Sequence, residues 1–208
     1  MDTGSVAFML LATAMVFFMT PGLAFFYGGL GRRKNVISTM MMSVVPIGIA
    51  ILMWILVGYS LSFSGQNPLI GDFGAFLMQV VSESSSTKGY EIADLLFAVY
   101  QMMFSIITVG IATGSIVGRM RFSPLVIWIS LWLLLVYYPL AHMVWGGGLL
   151  AQMGALDFAG GNVVHISSGV AGLVMALMVG KRVDYERIAY RPHNVPFVML
   201  GTAILSFG

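Results

Sequence analysis

The sequence is poor in charge and has no cysteine. Charged residues make up 9% of the 208 residues, whereas soluble domains carry about 25%, so a soluble fold is excluded. Without cysteine the chain has no disulfide framework and no thiolate chemistry. The net charge is only +2, and no block of Lys and Arg with interleaved aromatic residues is present. Nucleic acid is therefore not an expected partner.

Hydrophobic residues, by contrast, make up 59% of the chain. A bilayer core of about 30 Å takes about 20 apolar residues of helix to cross. Six apolar stretches stand between charged residues or clusters of Gly, Pro and Ser: Ser5–Leu30, Val36–Phe63, Leu95–Val117, Phe122–Met143, Val163–Val179 and Val195–Gly208. No part of the sequence shows a pattern typical of β-strands. The sequence predicts an all-α, polytopic membrane helical bundle, with residues 1–208 in one transmembrane domain.

Basic residues predict the orientation of these spans, because Lys and Arg concentrate in cytoplasmic loops. Nine of the ten follow odd-numbered spans, and only Lys88 lies in a loop of the other set. The nine are Arg32, Arg33, Lys34, Arg119, Arg121, Lys181, Arg182, Arg187 and Arg191. We therefore expect an N-terminus outside the cell. The segment Ser64–Tyr90, rich in Ser, Gly and Asn, is then an outer surface loop.

The sixth stretch is too short to cross a membrane. From Val195 to Gly208 it holds about 14 residues, or about 21 Å of helix at 1.5 Å per residue. We expect the natural protein to continue beyond this point. Any second, related half would lie there.

The segment between the fourth and fifth spans carries an acid. Asp157 precedes Gly160, Gly161 and Asn162 at the expected start of the fifth helix. Its carboxylate can accept hydrogen bonds from the free backbone N–H groups there, as a helix cap. A second interpretation is compatible with the first: a fixed anion at this position would attract a cation.

His165 lies eight residues further along the chain, which is about 12 Å in a helix. Titratable groups at such depth tend to face a cavity or a partner, although a lone buried histidine is also a common packed residue. Trp145 follows the fourth span, where an indole ring can anchor the helix at the interface or hold a cation. Tyr100 and Phe104 are four residues apart and therefore lie on one helix face. The ordinary interpretation of such a pair is packing against the core or the lipid.

Several motifs together resemble the ammonium transporter (Amt/Rh) family. The segment Asp157-Phe-Ala-Gly-Gly-x-x-Val-His165-x-Ser-Ser-Gly, closed by Gly180-Lys-Arg182, is similar to a signature of that family. Thr20-Pro-Gly-Leu-Ala-Phe-Phe-Tyr-Gly-Gly and Ala141-His-Met-Val-Trp-Gly-Gly-Gly148 match it as well. The motifs occur in order over nearly the whole chain. Their residues match the Amt branch more closely than the Rh branch. The chain is identified as about the N-terminal half of such a protein.

The resemblance implies a homotrimer in the cell membrane, each subunit having eleven spans in two inverted five-helix halves and its own pore. It implies that Trp145, Phe104 and Asp157 recruit ammonium, that Phe104 and Tyr100 belong to a pore gate, and that His165 is a pore histidine. Tyr100 stands where many members carry Phe. A second pore histidine and a second gate phenylalanine would lie beyond Gly208.

The expected activity is ammonium transport, with no cofactor and no enzymatic reaction. A bare ion in hydrocarbon costs tens of kcal/mol, so we expect outer capture of the cation, deprotonation, and passage of ammonia along an apolar pore. The alternative is an ammonium sensor with little transport. A PII-type signalling protein could bind the inner segment Lys181–His193. A metal enzyme using His142, His165 and Asp157 fits no spacing typical of metal ligands.

Overall fold

The computed structural model describes residues 1–87, 89–182, 185 and 191–208, which contain six main helices and no strand. These are α1 (Thr3–Leu30), α2 (Arg33–Phe63), α3 (Asp94–Ile116), α4 (residues 122–145), α5 (Gly161–Val179) and α6 (Val195–Phe207). The first five are long and apolar enough to cross a membrane. The predicted all-α bundle is confirmed. We call the side where α1 begins the Asp2 side and the side where it ends the Arg33 side.

Helix α3 lies at the centre of the bundle, in contact with α1, α2 and α5. In its most apolar window 56% of the residues are buried, compared with 22% in α1. The buried hydroxyls of Ser105, Thr108 and Thr113 donate to carbonyls of their own helix three or four residues earlier. Polar groups in a bilayer need such internal partners. These buried hydroxyls of α3 are thus satisfied within the helix itself.

Three helices contain a segment of π-helix: Trp54–Gly58 in α2, Leu133–Tyr137 in α4 and Gly161–Ile166 in α5. The Trp54 ring of the first segment packs against the ring of Tyr138, the residue that follows the second segment, at a centroid distance of 5.9 Å. Gly58 makes room for this contact, since a Cβ there would lie 2.5 Å from the Tyr138 ring. This contact helps to set how α2 and α4 are rotated against each other.

Helix α6 packs along α1 through glycine contacts. A Cβ on Gly201 would lie 2.6 Å from the Gly22 carbonyl oxygen, and a Cβ on Gly22 would lie 2.6 Å from the Ile204 side chain. Small residues allow two membrane helices to approach this closely. Asn194 caps the start of α6 by accepting a hydrogen bond from the Phe197 N–H at 3.0 Å.

Two carboxylates hold the loop between α2 and α3 on the Asp2 side. Asp72 accepts from the Ser64 hydroxyl at 2.9 Å and from the Gly74 N–H at 2.8 Å. Asp94, only 3% exposed, accepts from the Thr87 N–H at 3.1 and 3.0 Å. The loop is therefore tied at both ends. Lys88, the one basic residue placed in this loop by the sequence, lies outside the described residues.

Candidate functional site

A cleft of about 380 Å³ opens on the Asp2 side, between α3, the end of α4 and the start of α5. Five residues that the sequence singled out lie around it: Tyr100, Phe104, Trp145, Asp157 and Gly160. Gln101, Leu156, Phe158 and Ala159 complete the lining. His165 does not belong to this lining.

The aromatic residues form a continuous wall of the cleft. The Tyr100 and Phe104 rings are 5.0 Å apart with an interplanar angle of 89°. The Phe104 and Trp145 rings are 5.8 Å apart at 62°. Edge-to-face packing of this kind stabilises the rings and leaves some ring faces free to attract a cation. All three side chains are half-buried, so part of each ring remains open to the cleft.

The Asp157 carboxylate caps the start of α5 with three hydrogen bonds. The Gly161 N–H donates to Oδ1 at 2.7 Å, and the N–H groups of Asn162 and Val163 both donate to Oδ2 at 2.9 Å. The third donor is thus Val163, and the expectation of Gly160 as a cap partner is wrong. The reason is the turn at Gly160, which directs its carbonyl into α5 to accept from Val164 and His165.

Gly160 has a backbone conformation that other residues seldom adopt. Its φ is +80°, in the left-handed region that favours glycine. A Cβ at this position would also lie 2.7 Å from the Val164 side chain and 3.8 Å from the Trp145 ring. The glycine therefore sets both the direction in which α5 begins and the space beside the indole.

A second hydrogen bond joins the acid to the aromatic wall. The indole N–H of Trp145 donates to the backbone carbonyl of Asp157 at 2.8 Å. Asp157 therefore orders two elements at once: its side chain caps α5, and its main chain orients Trp145. Sequence reasoning found both residues but not this bond, because no pattern pairs a side chain with a carbonyl twelve residues away.

Below the aromatic wall lies a small apolar cluster of Leu23, Ile107 and Val164, bordered by Phe104 and Trp145. The three side chains are 2 to 4% exposed. They come from α1, α3 and α5, so apolar side chains of three helices meet beneath the cleft. An ion entering the cleft would meet hydrocarbon there.

His165 follows Val164 on α5 but points elsewhere. Its side chain is exposed in this chain. A Cβ on Gly169, one turn further, would meet no atom within 4 Å. The face of α5 that carries His165 and Gly169 is therefore uncovered by the described residues. An imidazole at this depth needs a cavity or a partner.

The other two histidines contact backbone carbonyls. The ring of His142 lies near Ser62 and Asn67, and His193 Nδ1 lies 3.1 Å from the Gly31 carbonyl oxygen on the Arg33 side. Among the described residues no group of three or more His, Asp or Glu is close enough to hold a metal ion. The suggested set of His142, His165 and Asp157 is not brought together.

The Arg33 side carries a basic pocket. Arg119 donates to the Gly180 carbonyl oxygen at 2.9 Å, and the Lys181 ammonium lies 4.9 Å from the centre of the Tyr185 ring. The segment suggested for a signalling protein, Lys181–His193, falls partly outside the described residues, which omit 183, 184 and 186–190.

Comparisons with known proteins agree with one another. The model of the Ammonium Transporter Family matches residues 7–208. Amt1 of Archaeoglobus fulgidus, an ammonium transporter, is 45% identical over 208 residues, which is 100% of this chain and 51% of the relative. The crystal structure of Candida albicans Mep2 superposes with a TM-score of 0.90 at 34% identity, covering 100% of this chain and 47% of that one.

A structure named Sensor Amt Protein is also similar, with a TM-score of 0.85 and 30% identity over 96% of this chain and 51% of that one. The chain spans about half the length of the curated relatives that it matches and corresponds to their N-terminal half. The eleven-span fold implied by the family resemblance fits these homologues. In the part of the chain that the structure describes, five helices are long and apolar enough to cross a membrane, and Val195–Phe207 is a shorter apolar helix. The chain belongs to the ammonium transporter family.

Proposed function

We propose that this chain forms half of a transporter that captures ammonium in the cleft on the Asp2 side and passes ammonia along His165. The observation that carries the proposal is the composition of the cleft. Three aromatic rings meet there beside a carboxylate that three backbone N–H groups hold in place. Ring faces and a fixed negative charge are the two features that attract a small cation.

Capture relies on Trp145 and Phe104, whose rings together face the cleft. A cation over an aromatic ring is worth about 0.5–1 kcal/mol when exposed and about 2 kcal/mol when desolvated. The three N–H groups take up three of the roughly four lone-pair sites of the Asp157 carboxylate. We infer that Asp157 acts on the cation chiefly through its charge and through its bond to Trp145. Tyr100 and Phe104, which line the same cleft, form its gate in this proposal.

Deprotonation follows from the apolar cluster below the cleft. Moving an ion into such surroundings costs tens of kcal/mol by Born solvation, whereas neutral ammonia avoids most of this cost. His165 lies directly after Val164 of that cluster in the chain, on the face of α5 that is open. A neutral imidazole there can donate to or accept from ammonia without adding a charge. The other wall of the pore comes from the second half of the family fold.

The proposal includes the location and assembly of the protein. The distribution of Lys and Arg favours a cell membrane orientation with the Asp2 side outside. The family resemblance favours a homotrimer and a PII-type signalling protein on the Arg33 side. Cross-linking of the full-length protein would check the homotrimer. Labelling, from outside the cell, of a cysteine introduced at position 4 would check the orientation.

The test uses a full-length chain, meaning residues 1–208 joined to the second half that the relatives carry. Ammonium uptake and ammonium-evoked current are measured in proteoliposomes for the wild type, Asp157→Ala and His165→Ala. Both variants are expected to lose most of the uptake, whereas His193→Ala, on the opposite side, retains it. Unchanged uptake in both Asp157→Ala and His165→Ala would refute the proposal.

The alternative is a sensor that binds ammonium with little transport, and the similarity to the Sensor Amt Protein favours it. The two functions share the cleft but differ in the need for a path beneath it. A sensor would bind ammonium with wild-type affinity in His165→Ala and would give no uptake in either form. Calorimetric binding measured beside uptake on the same preparation separates the two.

A further inference from the structure

His142 is a buried titratable residue that the proposed pathway does not use. It is 1% exposed and lies in the last turn of α4. Its Nδ1 is 3.1 Å from the Ser62 carbonyl oxygen, and its Nε2 is 2.6 Å from the Asn67 carbonyl oxygen. The two carbonyls come from the end of α2 and from the loop that follows it.

Both partners of the ring are acceptors only. A carbonyl oxygen cannot donate a proton, and a neutral imidazole carries a proton on just one nitrogen. Both contacts are hydrogen bonds only if both nitrogens carry a proton, which makes the ring an imidazolium. A neutral ring would set one nitrogen lone pair against a carbonyl lone pair in a buried place, where an unmade hydrogen bond is expensive.

The surroundings favour a positive charge at this position. Ser62 lies in the last turn of α2 and His142 in the last turn of α4, so the negative ends of two helix dipoles converge on the ring. The loop contributes the carboxylate of Asp72, whose pKa is lowered chiefly by the Gly74 N–H and the Ser64 hydroxyl. The phenols of these elements, Tyr59 and Tyr138, are neutral near pH 7.

The main chain of His142 holds the turn that follows Trp145. Its carbonyl oxygen accepts from the Gly146 N–H and the Gly148 N–H, both at 3.0 Å. A Cβ on Gly146 would collide with the Ser62 carbonyl, so this residue must be glycine for the turn to lie against α2. The Leu149 N–H then donates to the Pro68 carbonyl at 2.7 Å.

We propose that His142 is a positioning residue which, as an imidazolium, ties the turn after α4 to the loop after α2 and thereby holds Trp145 in the cleft. Its effect on ammonium rests on the proposed function. The residue itself touches no ammonium. Its loss changes the affinity of the cleft through Trp145, three residues along the same helix.

The first test compares His142→Gln with His193→Gln in the full-length protein. Both N–H donors of glutamine are on one nitrogen, whereas the two carbonyls lie at the two separate ring nitrogens, so glutamine is expected to keep only one of the two contacts. The half-saturation concentration of ammonium is then expected to rise about three- to tenfold, which corresponds to one hydrogen bond. His193→Gln, whose ring contacts one carbonyl on the opposite side, is expected to match the wild type. Maximal uptake per folded molecule is expected to change little in His142→Gln. A merely structural role predicts instead a loss of folded protein.

The same comparison is repeated across pH. Raising the pH removes one ring proton in the wild type, so the ratio of half-saturation concentrations between His142→Gln and wild type falls toward one. Taking this ratio at each pH removes the titration of ammonium itself. A ratio near one at every pH, or one that is constant with pH, would overturn the proposal.

A second measurement does not depend on transport or on the variant folding. The chain has three histidines, so ¹⁵N spectra of histidine-labelled wild type, assigned with His165→Gln and His193→Gln, report the ring of His142. Both nitrogens are expected to be protonated at neutral pH. A neutral ring would overturn the proposal. If the wild type fails to transport ammonium while the ring is doubly protonated, the proposed function fails and the charged state of His142 stands.

Discussion

The indole of Trp145 donates a hydrogen bond to the main-chain carbonyl of Asp157 at 2.8 Å, so the aromatic wall and the cap of α5 are one connected unit. A change at either residue reaches the other through this bond. The unit also contains Gly160, whose left-handed turn passes beside the indole.

Replacing Trp145 by Phe keeps an aromatic ring but removes the N–H donor. We expect the half-saturation concentration of ammonium to rise about two- to tenfold, the effect of one lost hydrogen bond together with a weaker cation–π contact. Uptake in proteoliposomes measures it. Trp128→Phe, in a stacked pair with Trp132 away from the cleft, is the matched control and should leave the value unchanged. Equal effects of the two substitutions would contradict the assignment of Trp145.

Substitutions of Asp157 separate its charge from its role as a cap. Asparagine retains an oxygen that can accept from the start of α5, whereas alanine removes all three hydrogen bonds. We expect both variants to lose ammonium binding, and Asp157→Ala alone to lose about 0.5–2 kcal/mol of stability, the usual cost of removing a helix cap. Thermal unfolding in detergent and calorimetric binding give the two readouts. Full binding by Asp157→Asn would mean that the charge is dispensable.

Gly160→Ala tests the turn before α5. The side chain would be held in a left-handed conformation, which costs about 1–2 kcal/mol, and would press on Val164. Gly154→Ala is a control with the same kind of backbone, since its φ is +85° and a Cβ there meets nothing within 4 Å. We expect both to lower the unfolding temperature and only Gly160→Ala to impair uptake. If the two variants had similar uptake, the effect of Gly160→Ala would come from backbone strain, and the contact with Val164 would have no part in it.

The loop after α2 should respond to acid through Asp72. Its pKa is lowered chiefly by the Gly74 N–H, so its hydrogen bonds stabilise the loop above the unfolded pKa of about 4 and are lost as pH falls through the lower folded value. The protection of the Gly74 amide against hydrogen exchange, taken relative to the intrinsic rate at the same pH, is expected to fall on acidification in the wild type. In Asp72→Asn this protection should not change with pH. A pH-independent protection in the wild type would argue against this anchor.

The spans could be predicted from the sequence because their cause is local. A run of apolar residues about as long as the bilayer needs is visible without any partner, and α1 to α5 follow such runs closely. The cap of α5 was also accessible, since Asp157 and its donors are at most six residues apart. The donor set still differed by one residue, because a left-handed turn at Gly160 changes which N–H groups face the carboxylate.

The partners of His142 could not be predicted. Its ring contacts carbonyls that lie 80 and 75 residues earlier in the chain, and any residue type can supply a carbonyl. The sequence therefore holds no pattern for this contact. The same holds for the π-helical segments of α2 and α4, which depend on how Trp54, Gly58 and Tyr138 pack across two helices.

The π-helical segment Leu133–Tyr137 fits one more residue into a turn than an α-helix does, because its hydrogen bonds span five residues in place of four. Deleting one residue there would leave an α-helical turn, and the helix Tyr138–Trp145 would keep nearly the same direction. Deleting one residue between Tyr138 and His142 would instead rotate His142 and Trp145 by about 100° and remove both from their contacts. A change of length is therefore expected to be tolerated in the wide turn and harmful in the turn that follows it.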